Sequence, residues 1–274
     1  MLSQFLTGGP GFLYYTDVIG LNDHKKKKGS LMKSPKILLS LSACVLAFSG
    51  TAIAQDDDHG LITVRTTTVK VGAGPEYQEL QGKLAAARKA AGHKGVDVWQ
   101  VIRGPAATFY SVTSADNHEE MGKPFDSGMS DTDWQRWLTR MSDIIVHSRL
   151  TTLRTHGELA FAVNPGSAPN MAVLRFSTLK PGTGGDHHDW LANSLVPAMK
   201  EGDAKAWSVS NVTMGDDVNT WISSTRLDSW EQMDGPGPFG HMSERARNNM
   251  LEDYTERLQS SRVEVIRHLP DLSY

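Results

Sequence analysis

Cysteine is almost absent from this chain. Cys44 is the single one among 274 residues. It falls in an amino-terminal stretch expected to be removed, so the mature chain is read without a disulfide, a thiolate metal site or a cysteine nucleophile. A P-loop, a nucleophile elbow and zinc-finger spacing are also missing. No His-x-x-x-His pair occurs, and no metal site is expected. His241 with Glu244 reads as the capped start of a helix beside Ser243, and Asp186-His187-His188-Asp189 is a weak ligand set. An excess of basic charge is missing too. Six of the 28 basic and two of the 31 acidic side chains lie in residues 1–54, which leaves the remainder at a formal −7. Nucleic acid and anionic membrane surfaces are therefore not expected partners.

The one long apolar run is Ile37–Phe48, too short to cross a bilayer. It follows the basic Met32-Lys33-Ser34-Pro35-Lys36 and precedes Ala52-Ile53-Ala54, the three parts of a secretory signal peptide over residues 32–54. A periplasmic or secreted protein beginning at Gln55, without a transmembrane segment, is expected. Residues 1–31 then read as an extension from a misassigned start, with Met32 as initiator. The alternative is a lipoprotein anchored at Cys44, since Leu41-Ser42-Ala43-Cys44 has lipobox form; against it, Val45–Phe48 remain apolar.

What is present is a repeat. Ser148–Phe161 (SRLTTLRTHGELAF) aligns without a gap on Ser261–Tyr274 (SRVEVIRHLPDLSY), 113 residues later. The match runs back through Thr108–Met121 against Thr220–Met233 and through the helical faces Trp137, Leu138, Met141, Ile145 and Met250, Leu251, Tyr254, Leu258. Each copy predicts the order βαββαβ. In the first, β-branched Leu61–Lys70 is a strand, Pro75 opens a helix bearing Tyr77, Leu80, Leu84 and Ala87, and Val96–Arg103 and Thr108–Thr113 are strands. Ser130 caps a second long helix, and Ser148–Phe161 is the fourth strand. The second copy repeats this from Met171, with a helix over Met242–Ser260 and a bend expected at Pro197. Repeat 1 is placed at residues 61–161, the linker at 162–170 and repeat 2 at 171–274. The fold class is α+β, each copy a split-βαβ, ferredoxin-like unit whose helices cover one sheet face. Two bare faces in one chain can bury each other, which predicts a monomeric pseudo-dimer.

Lys180-Pro181-Gly182-Thr183-Gly184 before a helix, its weaker copy Lys70-Val71-Gly72-Ala73-Gly74, the strand pairs split at Gly104 and Gly215, and the segments Asp116–Met121 and Asp228–Met233 carry a family resemblance. They resemble the dimeric α+β barrel superfamily, in its NIPSNAP-like and antibiotic-biosynthesis-monooxygenase-like branches. That resemblance implies an intramolecular dimeric α+β barrel over Leu61–Tyr274. It also implies a site in the barrel or between sheet and helices, and a small apolar or aromatic ligand. The implied activity is cofactor-free and monooxygenase-like, or haem-related. The alternative is a non-catalytic binding or stress-associated module.

Three groups of residues could serve such a site. His118, His147 and His187 are the candidate catalytic residues, because a general base or haem ligand needs a neutral imidazole in a pocket. Arg65, Arg175, Arg154 and Arg267 occupy matched strand positions, where a guanidinium among apolar neighbours could hold a carboxylate. Trp99, Trp207 and Trp221 on the middle strands could wall an aromatic ligand or simply fill the core. The strand faces carrying Arg65 with Thr67, Arg175 with Ser177, and Ser111 and Ser223 read as the lining of a wet interior.

Overall fold

The computed structural model describes residues 60–162, 169–202, 204–234 and 237–274. The expected signal peptide, Cys44 and most of the expected linker lie outside these. Repeat 1 comprises β1 (Leu61–Val69), α1 (Gly74–Ala90), β2 (Asp97–Arg103), β3 (Thr108–Ala115), the short α2 (His118–Met121), α3 (Asp131–Ile144) and β4 (Ile145–Thr155). A 3-10 turn at Gly157–Leu159 and a two-residue β5 (Phe161–Ala162) complete it. Repeat 2 follows the same plan with β6 (Met171–Leu179), α4 (Gly184–Trp190), α5 (Val196–Glu201), β7 (Ala206–Met214), β8 (Thr220–Leu227), α6 (Glu244–Arg257) and β9 (Leu258–His268). No helix of the described residues is long and apolar enough to cross a membrane.

Local chemistry explains the boundaries. Pro75 sits in the first turn of α1, where its missing N–H costs nothing. Ser130 caps α3 by accepting from the Asp133 amide, and Ser243 caps α6 by accepting from Ala246. Both long helices stop earlier than their apolar periodicity suggests. Ile145 and Leu258, expected on the helix faces, instead have ψ near 130–141° and begin strands directly. In repeat 1 the run Ile144-Ile145-Val146 is β-branched and favours the extended backbone. Pro197 acts where a bend was expected, but by widening the helix. The turn Leu191–Leu195 between α4 and α5 is π-helical, which separates the proline ring from the carbonyl four residues earlier.

Each repeat forms an antiparallel sheet, β4-β1-β3-β2 and β9-β6-β8-β7. Two seams join them. β2 pairs with β9 through Trp99–His268, Gln100–Arg267 and Val101–Ile266; β4 pairs with β7 through Leu153–Val212, Arg154–Asn211 and Thr155–Ser210. The sheet thereby closes into an eight-stranded α+β barrel, with β5 added at the β7 edge. Three cores follow. Tyr77, Leu80, Phe109, Met141 and Ile144 pack between sheet and helices in repeat 1. Trp190, Leu191, Trp207, Trp221 and Met250 do so in repeat 2. The third core, with Trp99, Tyr110, Leu174, Phe176 and Ile266, lies inside the barrel.

Candidate functional site

Alternation along the strands decides which side chains reach the lumen. On β1 these are Ile62, Val64, Thr66 and Thr68; on β6, Leu174 and Phe176; on β9, Arg262, Glu264 and Ile266. With Tyr110, Val112, Thr151, Ser208, Ser210 and Ile222 they enclose a cavity of about 290 Å³. Most of this wall is aliphatic or hydroxyl-bearing. Its one buried carboxylate is Glu264, which is 1% exposed. The Tyr110 hydroxyl donates to Glu264 Oε2 at 2.6 Å, and Arg262 Nε donates to Oε1 at 3.0 Å. The Arg262 guanidinium also lies 3.6 Å over the Phe176 ring, at the half-exposed rim. Burial first, and then the Glu264 charge, raise the Tyr110 pKa, so the phenol stays protonated and keeps donating. The pseudo-equivalent Arg149 instead pairs with Asp216 at 3.0 Å, and Thr151 stands where Glu264 does. The buried carboxylate of the lumen therefore stands on one side only.

The expected site residues do not converge on this cavity. Arg65, Arg154, Arg175 and Arg267 are all exposed on the outer face of the barrel wall, and Arg267 donates to Gln100 Oε1 at 2.8 Å. They do not line the interior: Arg65 opposes Ser111 and Leu150, Arg175 opposes Ser223 and Val263, Arg154 opposes Leu61 and Asn211, and Arg267 opposes Met171 and Gln100, none of which lines the lumen. Thr67 and Ser177 share that outer face and are buried there; Ser177 Oγ lies 2.7 Å from the Tyr254 hydroxyl of α6. The polar face read as a wet lumen is thus the face towards the helices. Of the tryptophans, Trp99 is fully buried within the barrel-side core, whereas Trp207 and Trp221 belong to the helix-side core of repeat 2.

The three histidines are also dispersed. His118 opens the exposed helix α2, and His147 is an exposed residue at the lumen rim. His187 is 2% exposed and enclosed by Trp221 (5.2 Å), Trp190 (5.6 Å) and Tyr254 (6.2 Å). Burial pushes its imidazole down to about 4, with the Arg257 and His188 charges adding to the effect. Of the three, only His147 borders the lumen, while His187 is shut in by aromatic rings. His187 is aligned with Tyr77, which stacks on Phe109 at 4.3 Å as His187 meets Trp221 edge-on.

Two groups escaped the sequence reading. Glu264 had a visible signal, an acid between Val263 and Val265 in a strand whose repeat partner is Thr151. His156 had a fainter one, a histidine standing where the second copy has Leu269. The structure gathers His156, Glu158 and His188 together, with one ligand-competent atom of each lying within 4.8 Å of the others.

Comparison with solved structures identifies the architecture. A proposed monooxygenase from Lactobacillus acidophilus superposes with a TM-score of 0.52 at 11% identity, over 79% of this chain and 96% of its own. The chain has the α+β barrel fold. A proposed monooxygenase from Fusobacterium nucleatum matches with a TM-score of 0.54 at 11% identity, over 78% and 94%. An anthrone oxidase-like protein matches with 0.53 at 15%, over 78% and 92%. Proteins described as chlorite dismutases and as haem-binding score lower, at 0.43 or below, and carry no argument about a cofactor. No family model matches the sequence, and no curated protein matches it.

Proposed function

We propose that the barrel lumen binds a compact aromatic or apolar molecule bearing one acidic hydroxyl or activated C–H group. The observation that carries this reading is the pairing of a 290 Å³ cavity with one buried carboxylate, Glu264, held from two sides. Pockets for small ligands combine such apolar walls with a few placed polar groups. The enzyme form of the reading is cofactor-free oxygenation. Glu264 takes the acidic proton, and the carbanion or phenolate so formed is the electron source for dioxygen. In the overall change a CH₂ becomes C=O, one oxygen atom enters the product and the other leaves as water. Tyr110 and Arg262 fix the carboxylate, and the water-poor lumen keeps the anion concentrated on the oxidant. The fold shared with monooxygenase-like and anthrone oxidase-like proteins supports this chemistry.

Oxygen uptake with anthrone-type and naphthol substrates tests it. The wild-type protein should consume oxygen, and Glu264→Gln should slow it by about 10²–10⁴-fold, the usual loss of a general base. Equal rates in both proteins would remove Glu264 from the chemistry. A protein that binds these molecules and consumes no oxygen would be the binding module instead. We further propose export: the mature amino terminus should be Gln55 when the periplasmic protein is sequenced.

A further inference from the structure

The cluster outside the lumen is built at the β4–β7 seam, from pieces of both repeats. His156 and Glu158 follow β4, His188 lies on α4, and Asn211 lies on β7. Glu158 Oε1 is 3.1 Å from His156 Nδ1 and 3.1 Å from His188 Nε2. Two ligand atoms on one zinc-like ion, with bonds of about 2.0–2.1 Å, stand roughly 2.9–3.4 Å apart. Both separations from Glu158 Oε1 fall in that interval, and all three ligand atoms lie within 4.8 Å of one another.

The surroundings orient the rings. His156 stacks on Trp221 at 4.7 Å and 14°. Asn211 Nδ2 donates to the Val212 carbonyl at 3.4 Å, which turns its Oδ1 to His156 Nε2 at 2.9 Å. A carbonyl oxygen accepts, so Nε2 carries the proton, and in a neutral ring Nδ1 presents its lone pair. That lone pair faces a carboxylate oxygen, an arrangement that repels unless a metal ion or a further proton lies between them. His188 Nδ1 in turn lies 3.6 Å from Asp189 Oδ1. Metal-ligating histidines are held by outer partners of these kinds. Glu158 and His188 are 45% and 35% exposed, which leaves solvent access for further ligands.

The geometry points to a divalent transition-metal site of the zinc class, with His156 Nδ1, His188 Nε2 and a Glu158 oxygen as protein ligands and water completing the shell. Two imidazoles and one carboxylate are a borderline-soft donor set that suits zinc, cobalt and iron(II) better than calcium or magnesium. The repeat symmetry argues that the set is specific. At the matching positions the other half has Leu269, Asp271 and Gln78, so the acid is kept and both imidazoles are lost.

Calorimetric titration of the chelator-treated, untagged protein with Zn²⁺, and visible absorption with Co²⁺, test this. One equivalent of Zn²⁺ should bind and raise the melting temperature. His188→Ala and Glu158→Gln should each weaken binding at least tenfold, and Asn211→Leu by about 10–100-fold as an outer-shell change. His118→Ala, on a distant exposed helix, should leave the affinity unchanged. Co²⁺ should give visible bands that Glu158→Gln alters. The absence of binding by wild-type protein, or wild-type affinity in both His188→Ala and Glu158→Gln, would overturn the assignment and leave a shared proton in the ion's place.

Discussion

At the scale of single residues, His187 connects burial to pH. Its imidazole titrates near 4 in the folded chain and near 6.5 when unfolded. Between those values the unfolded chain binds the extra proton, so stability falls as pH falls through this window and is complete above it. The full effect is about 3 kcal/mol, from 1.36 kcal/mol per pKa unit. His187→Phe keeps an aromatic ring against Trp190 and Trp221 but removes the titration. Urea unfolding at pH 7 and pH 4.5 should therefore show a smaller acid loss in the variant than in the wild type. Equal losses would mean that His187 is charged in the native state. Glu264 and Tyr110 illustrate a different limit of sequence reading. Each was legible as a strand residue, yet their partnership spans 154 positions and the β2–β9 seam of the barrel wall.

At the scale of elements, the hairpins that feed the seams carry the closure. Gly215 follows β7 with φ +85°, and a Cβ there would fall within contact distance of the Leu150 carbonyl on β4. Gly72 has nearly the same φ, +88°, but open space around it. Gly72→Ala should cost only the backbone strain, about 1 kcal/mol, whereas Gly215→Ala should cost more and loosen the β4–β7 seam. Denaturation midpoints compare the two directly; similar values would show that the close approach at Gly215 relaxes freely. The strands themselves were readable from β-branched runs and turn residues. Which strand face looks inward was not. The outer wall carries exposed Arg65 and Arg175 beside buried Thr67 and Ser177, and the lumen mixes apolar with hydroxyl side chains, so alternation separates two mixed faces without naming either. That is why Arg65, Arg175, Thr67 and Ser177 were read as lining the interior and are found on the other side. The helix ends were misplaced for a related reason: Ile145 and Leu258 fit the apolar period of a helix and the first residue of a strand equally well.

At the scale of the molecule, the repeat in the sequence predicts closure and the structure shows it, with two antiparallel seams replacing the contact between two chains. The lumen core then belongs to neither repeat alone. Residues 55–165 expressed by themselves would bare Ile62, Val64, Tyr110 and Val112 to water, so that half should dimerise or aggregate, while the mature chain should run as a monomer in light scattering. A stable monomeric half would contradict a shared core. The site shows the same division of labour. Tyr110 comes from repeat 1 and Glu264 from repeat 2, and the metal-type cluster likewise draws His156 and Glu158 from one copy and His188 from the other. Both proposed sites rest on what the two copies no longer have in common: Glu264 against Thr151, His156 against Leu269.

The most direct test of the lumen as the binding site is calorimetric titration of 1-naphthol into the wild-type protein and into Thr66→Trp. The new indole would fill the cavity beside Tyr110, and folding of the variant is checked by its melting temperature. Saturable one-to-one binding by the wild type, lost in a folded Thr66→Trp, is the predicted result. Binding that survives the filled lumen, or no binding by the wild type, would contradict it.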